Sequence, residues 1–241
     1  MTNDRSTWLW TLCVLFGVGV IAFAVWFGGV IPTRTCTGTL PAGVSALLAY
    51  QLSRTPADIE AVFGPAGEPC RAAMIAALDR ANTVDLVGFI ATYGAFLAFF
   101  FLALMRAGTG LLASIGFVGV VVALGFDVIE TWTQLRITAE LPGSAASLAF
   151  LAVGSTGKFL ALGVVSVCAG LAMFARGKIV ARIAGAACIA GSVMAVVGLA
   201  SASARSALSV GAALSWVVML LYAVTAAVRR GVTKMRSTDT P

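Results

Sequence analysis

Six stretches of this chain are each long and apolar enough to cross a bilayer, and no other feature restricts its fold as strongly. A membrane-spanning helix needs roughly 20 predominantly apolar residues. The stretches are Trp8 to Val30, about Val84 to Leu104, Gly110 to about Thr131, a run within Ala146 to Phe174, about Ile183 to Ala202, and Ala207 to Val228. The expected fold is all-α: a polytopic membrane bundle of about six transmembrane helices, with residues 1–241 forming a single membrane domain. Composition agrees. The chain is 60% hydrophobic and 11% charged, whereas a soluble domain is about half apolar and a quarter charged. Only lipid can serve as solvent for so much apolar surface.

The first run could be read as a signal peptide, because Arg5 precedes it and Ala22-Phe23-Ala24 has small residues at cleavage-site spacing. Its apolar character continues through Val25-Trp26-Phe27 to Val30, longer than an ordinary signal core. A retained anchor is the expectation.

Basic residues orient the spans. With the N-terminus inside, the cytoplasmic segments carry Arg5, Arg106, Arg176, Lys178, Arg182, Arg229, Arg230, Lys234 and Arg236, and the outer segments carry Arg34, Arg54, Arg71, Arg80, Arg136 and Arg205. That excess of nine over six puts both termini in the cytoplasm of a bacterial inner or plasma membrane. The net charge of +6 is thus a topology signal. No extended basic face or binding motif points to nucleic acid.

Small residues recur every fourth position, at Ala187, Gly191 and Ala195 and again at Ala207, Gly211 and Ser215. Such rows let helix backbones approach closely, and packing inside the bundle is preferred to a dimer seam. Histidine is absent and the five cysteines include no C-x-x-C pair. That excludes histidine-ligated haem and zinc, histidine-activated nucleophiles and common dithiol chemistry. No cofactor is expected.

Residues 31–83 form an extracytoplasmic loop with its own composition. Cys36 and Cys70 lie in it, on the side of the membrane that permits disulfides, and a bridge between them is expected. Thr55-Pro56-Ala57-Asp58 supplies an N-cap, a proline at the first helical position and an acid in the first turn. The short helix should end at Gly64-Pro65. A further helix from Cys70 to Asn82 should lead into the second span, and the apolar stretch Val44 to Leu52 is expected along the membrane surface. The loop reads as a small helical cap over the outer mouth of the bundle. Cys13, Cys168 and Cys188 fall in apolar spans, as packing residues.

Three short segments, Gln51-Leu-Ser-Arg-Thr-Pro-Ala-Asp58, Asp85-Leu-Val-Gly-Phe-Ile-Ala-Thr-Tyr93 and Asp127-Val-Ile-Glu130, resemble a layout in uncharacterised bacterial multi-span membrane proteins. In those the last segment often reads D-x-x-E-N, where this chain has Thr131. The resemblance covers the first half of the chain and implies no activity.

Ionisable residues inside spans are functional suspects by default. Asp85, Asp127, Glu130 and Lys158 qualify. Asp127 and Glu130 are three apart and share a helix face, which Gln134 extends. All four charges fall in the outer half, where Asn82, Tyr93, Thr131, Ser155 and Thr156 can join them. If Gly154 breaks the fourth helix, Lys158 can snorkel to the surface; if it does not, Lys158 is deep and should pair with Asp127 or Glu130. Asp85, Asp127, Glu130, Lys158, Asn82, Gln134 and Tyr93 therefore form a candidate ligand or ion cluster, whose bland alternative is a polar clamp between spans. No catalytic or metal-binding set is assigned. Leu124-Gly125-Phe126-Asp127 fails the G-x-G-D pattern of intramembrane aspartyl proteases. The expected function is a non-enzymatic accessory, scaffold or ligand-sensing subunit. A small-solute or ion transporter and an enzyme acting on a lipid are the alternatives. The expected partners are the lipid bilayer and either a protein subunit or a bound lipid.

Overall fold

The structure, a computed structural model, describes residues 4–38, 40 and 44–238, with side chains over 7–229 of that range. The side chains of Arg5, Arg230, Lys234 and Arg236, four of the orienting cations, lie outside it. The described residues form helices and no strand. Among the described residues, six helices are long and apolar enough to cross a membrane.

The first span is α1 (Asp4–Val30). Two short helices follow, α2 (Ala46–Gln51) and α3 (Pro56–Phe63). The second span is compound: α4 (Arg71–Val84) passes through one π-helical turn (Asp85–Phe89) into α5 (Ile90–Arg106). Its 36 residues measure about 54 Å at 1.5 Å per residue, against about 30 Å of hydrocarbon. The first turns of α4 therefore stand clear of the bilayer and belong to the cap. Next come α6 (Gly110–Ala139), α7 (Ala145–Phe174), α8 (Ile179–Ala200) and α9 (Arg205–Thr238). Each span packs on the next, and α9 returns to α1. The six thus close into a ring of alternating direction.

The helix ends follow local chemistry. Ser45 caps α2 by accepting from the Leu48 amide at 3.1 Å. Thr55 and Asp58 form a reciprocal capping box at the start of α3: the Asp58 amide donates to the Thr55 hydroxyl (3.2 Å), and the Thr55 amide donates to the Asp58 carboxylate (2.9 Å). Partial burial pushes the Asp58 carboxyl upward, but the amides of Arg54 and Thr55 and the Thr55 hydroxyl outweigh it and hold the group below its ordinary range. Gly64 ends α3 with φ +75°, a conformation that favours glycine. Its carbonyl accepts from Arg71 at 2.8 Å. Cys36 and Cys70 are joined by a disulfide, which ties the chain leaving α1 to the start of α4.

One part of the cap differs from expectation. Val44 to Leu52 does not lie along a surface. Leu48, Ala49, Tyr50 and Leu52 are buried with Ile59, Phe63, Leu78, Ile137 and Leu151 in a hydrophobic cluster beneath the cap. Tyr50 packs edge-on against Phe63 and donates its hydroxyl to the Gln134 carbonyl at 2.5 Å. With its one polar atom satisfied, the ring can enter the core, and the segment follows it.

A second cluster fills the ring, built on Trp10, Tyr93, Phe96, Phe100 and Phe101. Outward positions such as Leu15, Val25, Leu111, Val118, Phe150 and Val164 are exposed, as lipid-facing side chains must be. The small-residue rows meet within the chain. A Cβ on Gly191 would lie 2.6 Å from the Gly211 carbonyl oxygen, so α8 and α9 touch backbone to backbone. Ser215 on α9 donates to the Cys188 carbonyl at 3.2 Å, and Ser192 on α8 donates to the Gly163 carbonyl on α7 at 3.0 Å. The free cysteines Cys13, Cys168 and Cys188 are buried.

Candidate functional site

Gly154 does not interrupt α7, which runs unbroken from Ala145 to Phe174. Its role is close approach. A Cβ there would lie 2.8 Å from the Glu130 amide nitrogen and 3.0 Å from its Cα. With no side chain between them, α7 rests directly on the backbone of α6 at Glu130. Lys158, one turn further along the same face, is delivered to the carboxylates of α6.

Its ammonium donates to both. The Lys158 Nζ lies 3.0 Å from Asp127 Oδ1 and 2.8 Å from Glu130 Oε1. All three residues are buried, Glu130 completely. Asp127 is held on its other side by Tyr93 of α5, whose hydroxyl donates to Oδ2 at 2.7 Å. The Tyr93 ring stacks on Trp216 of α9 at 5.2 Å, so α9 supports the group from behind. Asp85 sits in the π-helical turn and accepts from the Thr131 hydroxyl at 2.8 Å. A single π turn inside an α-helix is frequently found at a functional site, and here it marks the acid that Lys158 does not bond. Further toward the cap, Thr138 donates to Asp79 at 2.7 Å.

The structure thus joins Asp127, Glu130, Lys158 and Tyr93 in one network and places Asp85 beside it. Asn82 and Gln134 are buried, but their side chains make no bond to the others. The Asn82 Nδ2, both amide atoms of Gln134 and the Glu130 Oε2 have no hydrogen-bond partner. A buried polar atom without a partner costs about 1–3 kcal/mol, so these four are the atoms on which a hydrogen-bonding molecule would act most strongly.

Arg54, which the sequence presents as an outer-segment cation and not as a site residue, joins the site in the fold. It reaches down from the cap. Its Nη2 lies 3.0 Å from Ser155 Oγ and 3.3 Å from Thr156 Oγ1 on α7, while Nη1 donates to the Gln51 and Ser53 carbonyls at 3.1 and 2.9 Å. Burial and the nearby Arg205 lower its pKa from the ordinary value, and the charges of Glu130 and Asp58 act the other way. The available signal was its position between two short helices, where the free carbonyls at the end of α2 collect. Arg54 thus brings a second cation toward Glu130, beside Lys158. Among the described residues no acidic or cysteine cluster lies close enough to hold a metal ion.

No family model matches the chain, and no curated protein or solved structure is significantly similar to it.

Proposed function

We propose that the protein is a non-enzymatic membrane component, an accessory or scaffold subunit, in which the charged network locks the cap and three spans into one arrangement. The observation that carries this reading is the shared Lys158, bonded at 3.0 and 2.8 Å to two acids of the facing helix. Its ammonium is bonded to two acids and faces the Phe159 ring, and the Tyr93 hydroxyl is spent on Asp127, which suits a clamp better than a general acid or base that must exchange protons with a substrate. A transport path would need a succession of polar groups along the bundle. The buried acids instead gather at the cap end.

The unpartnered Asn82, Gln134 and Glu130 atoms favour a second reading, in which the network is also a sensing site for a small hydrogen-bonding solute under the cap. Intact-complex mass spectrometry on protein taken gently from its native membrane separates the two. A partner chain in fixed stoichiometry supports the accessory role, and a retained small-molecule mass supports the sensor. A bare chain counts against both.

The orientation proposed is both termini in the cytoplasm of a bacterial inner or plasma membrane. It is supported by the disulfide at the cap end, which needs an oxidising compartment, and by Arg176, Lys178 and Arg229 meeting at the opposite end. Reporter fusions after Arg106, after Lys178 and at the C-terminus should all read cytoplasm. An external signal from any of them overturns the topology.

A further inference from the structure

The outer end of α6 carries two working faces. One holds Asp127, Glu130 and Gln134 and turns into the bundle, where all three are buried. The other holds Ile129, Trp132 and Arg136, at the three- and four-residue spacing of a helical stripe. These are exposed. With Ser144, Ser147 and Phe150 at the start of α7 they help to line a pocket of about 280 Å³.

The polarity of this pocket is graded by depth, in the same sense on both helices. α6 runs toward the cap, so Ile129 lies deepest and Arg136 outermost, roughly 10 Å higher at 1.5 Å per residue. α7 runs back from the cap, so Ser144 and Ser147 lie outermost and Phe150 deepest. Counted from the start of α6 at Gly110, about 30 Å of hydrocarbon ends near Glu130. The apolar end of the pocket therefore sits at the edge of the acyl chains and the Arg136 end in the headgroup layer. Trp132 stands between them, at the level where interfacial tryptophans collect.

Two observations narrow the occupant. Among the described residues no hydrogen bond or ion pair engages the Arg136 guanidinium, and no described lining residue is acidic. The Ser144 and Ser147 hydroxyls are engaged with each other at 3.2 Å and in the α7 cap, so the charge available to a ligand is that of Arg136. The apolar end opens sideways. Trp132 is 58% and Phe150 61% exposed, and Val153, about one turn deeper on α7, is exposed as well. An occupant thus enters from the bilayer.

We propose that this pocket seats one anionic phospholipid of the leaflet on the cap side. Arg136 takes the phosphate, which a guanidinium binds through two parallel N–H bonds. The rim at Ser144 and Ser147 meets the glycerol, and Ile129, Trp132 and Phe150 receive the upper part of one acyl chain. A free phosphate compound would use only the arginine, whereas the graded walls match a molecule charged at one end and apolar at the other. The site lies on a different face of α6 from the charged network and does not depend on that network's role.

The test uses the full chain in dodecyl maltoside, with thermal stabilisation and intact-complex mass spectrometry as readouts. Phosphatidylglycerol should stabilise the protein and be retained, whereas diacylglycerol with the same acyl chains should do neither. Arg136→Gln should weaken the lipid roughly tenfold, as loss of one charge-assisted bond does. Arg136→Lys keeps the charge and should lose less. Trp132→Ala should weaken binding by a smaller factor than Arg136→Gln. Arg34→Gln removes an exposed cation of the cap outside the pocket and should leave binding unchanged. An equal response to diacylglycerol would leave only an apolar surface. Equal losses in the Arg136 and Arg34 variants would mean diffuse charge attraction. Stabilisation by inorganic phosphate as strong as that by the lipid would make this a site for soluble anions. A dimer mass that Trp132→Ala abolishes would give the face to a second copy. Each of these four results overturns the proposal.

Discussion

Two helix interfaces in this bundle are equally close and chemically opposite. Where α8 meets α9, Gly191 and Gly211 bring two backbones together, and the polar bond across the contact is a serine hydroxyl, that of Ser215, on the Cys188 carbonyl oxygen. Where α7 meets α6, Gly154 brings the helices together just as closely, but the next turn carries Lys158 and the facing turns carry Asp127 and Glu130. Without a hydrophobic driving force between helices in lipid, both interfaces rely on close packing. Only the second uses it to bring charges within bonding distance.

The largest effect should come from the charged interface. Lys158→Met strands two carboxylates, and breaking a buried pair from one side costs roughly 3–5 kcal/mol. Adding Glu130→Gln and Asp127→Asn should restore much of that loss, so a double-mutant cycle in thermal stability should be strongly non-additive. Additive behaviour with both acids would break the comparison, because the α6–α7 contact would then be mere packing.

Opening the cap comes next. Cys36→Ser removes a cross-link spanning 34 residues of sequence, worth roughly 3–4 kcal/mol in the chain-entropy model. Its expected signature is local: hydrogen exchange should rise in α2, α3 and α4 and stay level in α8 and α9. In the wild type both cysteines should resist thiol labelling until reductant is added. Ready labelling without reductant would remove the pin from the cap.

Packing changes are smaller and make the sharpest contrast. Gly154→Ala and Gly191→Ala should each cost about 1–3 kcal/mol by overpacking, since each new methyl meets backbone. Combined with Lys158→Met they should diverge. Gly191→Ala should add to the lysine variant within about 0.5 kcal/mol, as distant sites do. Gly154→Ala should add less than its full cost, because the ion pair it disturbs is already gone. Equal additivity would mean that Gly154 does not position Lys158. The smallest effect belongs to Thr55→Ala, which should cost about 1 kcal/mol and speed proteolysis near α3 without altering the spans.

Much of this was legible in the sequence, for reasons that differ by element. The spans were visible because length and apolarity are properties of a continuous segment. The capping box at Thr55 and Asp58 and the stop at Gly64 were visible because a helix end is settled within four residues. The small-residue rows announced close contacts without naming their partners. Arg54 was misread because its companions Ser155 and Thr156 lie about a hundred positions away. The apolar segment Val44 to Leu52 was misread because burial and membrane contact look alike in sequence; the Tyr50 hydroxyl on the Gln134 carbonyl separates them only once the fold is present.

By itself, then, the sequence determined an all-α chain with six membrane-spanning helices, a cysteine-bearing cap and one charged face on each of two neighbouring spans. The tertiary structure alone decided that Lys158 is shared by two acids while Asp85 turns to Thr131. It also decided that Arg54 descends onto α7 and that Lys178 and Arg229 meet beside Trp10. The physical reason is one of range. A segment's need for lipid or for a cap depends on its own residues, but the partner of a buried charge depends on the depth and rotation of one helix against another. Those are fixed by the sum of many weak contacts along the interface, the backbone approach at Gly154 among them.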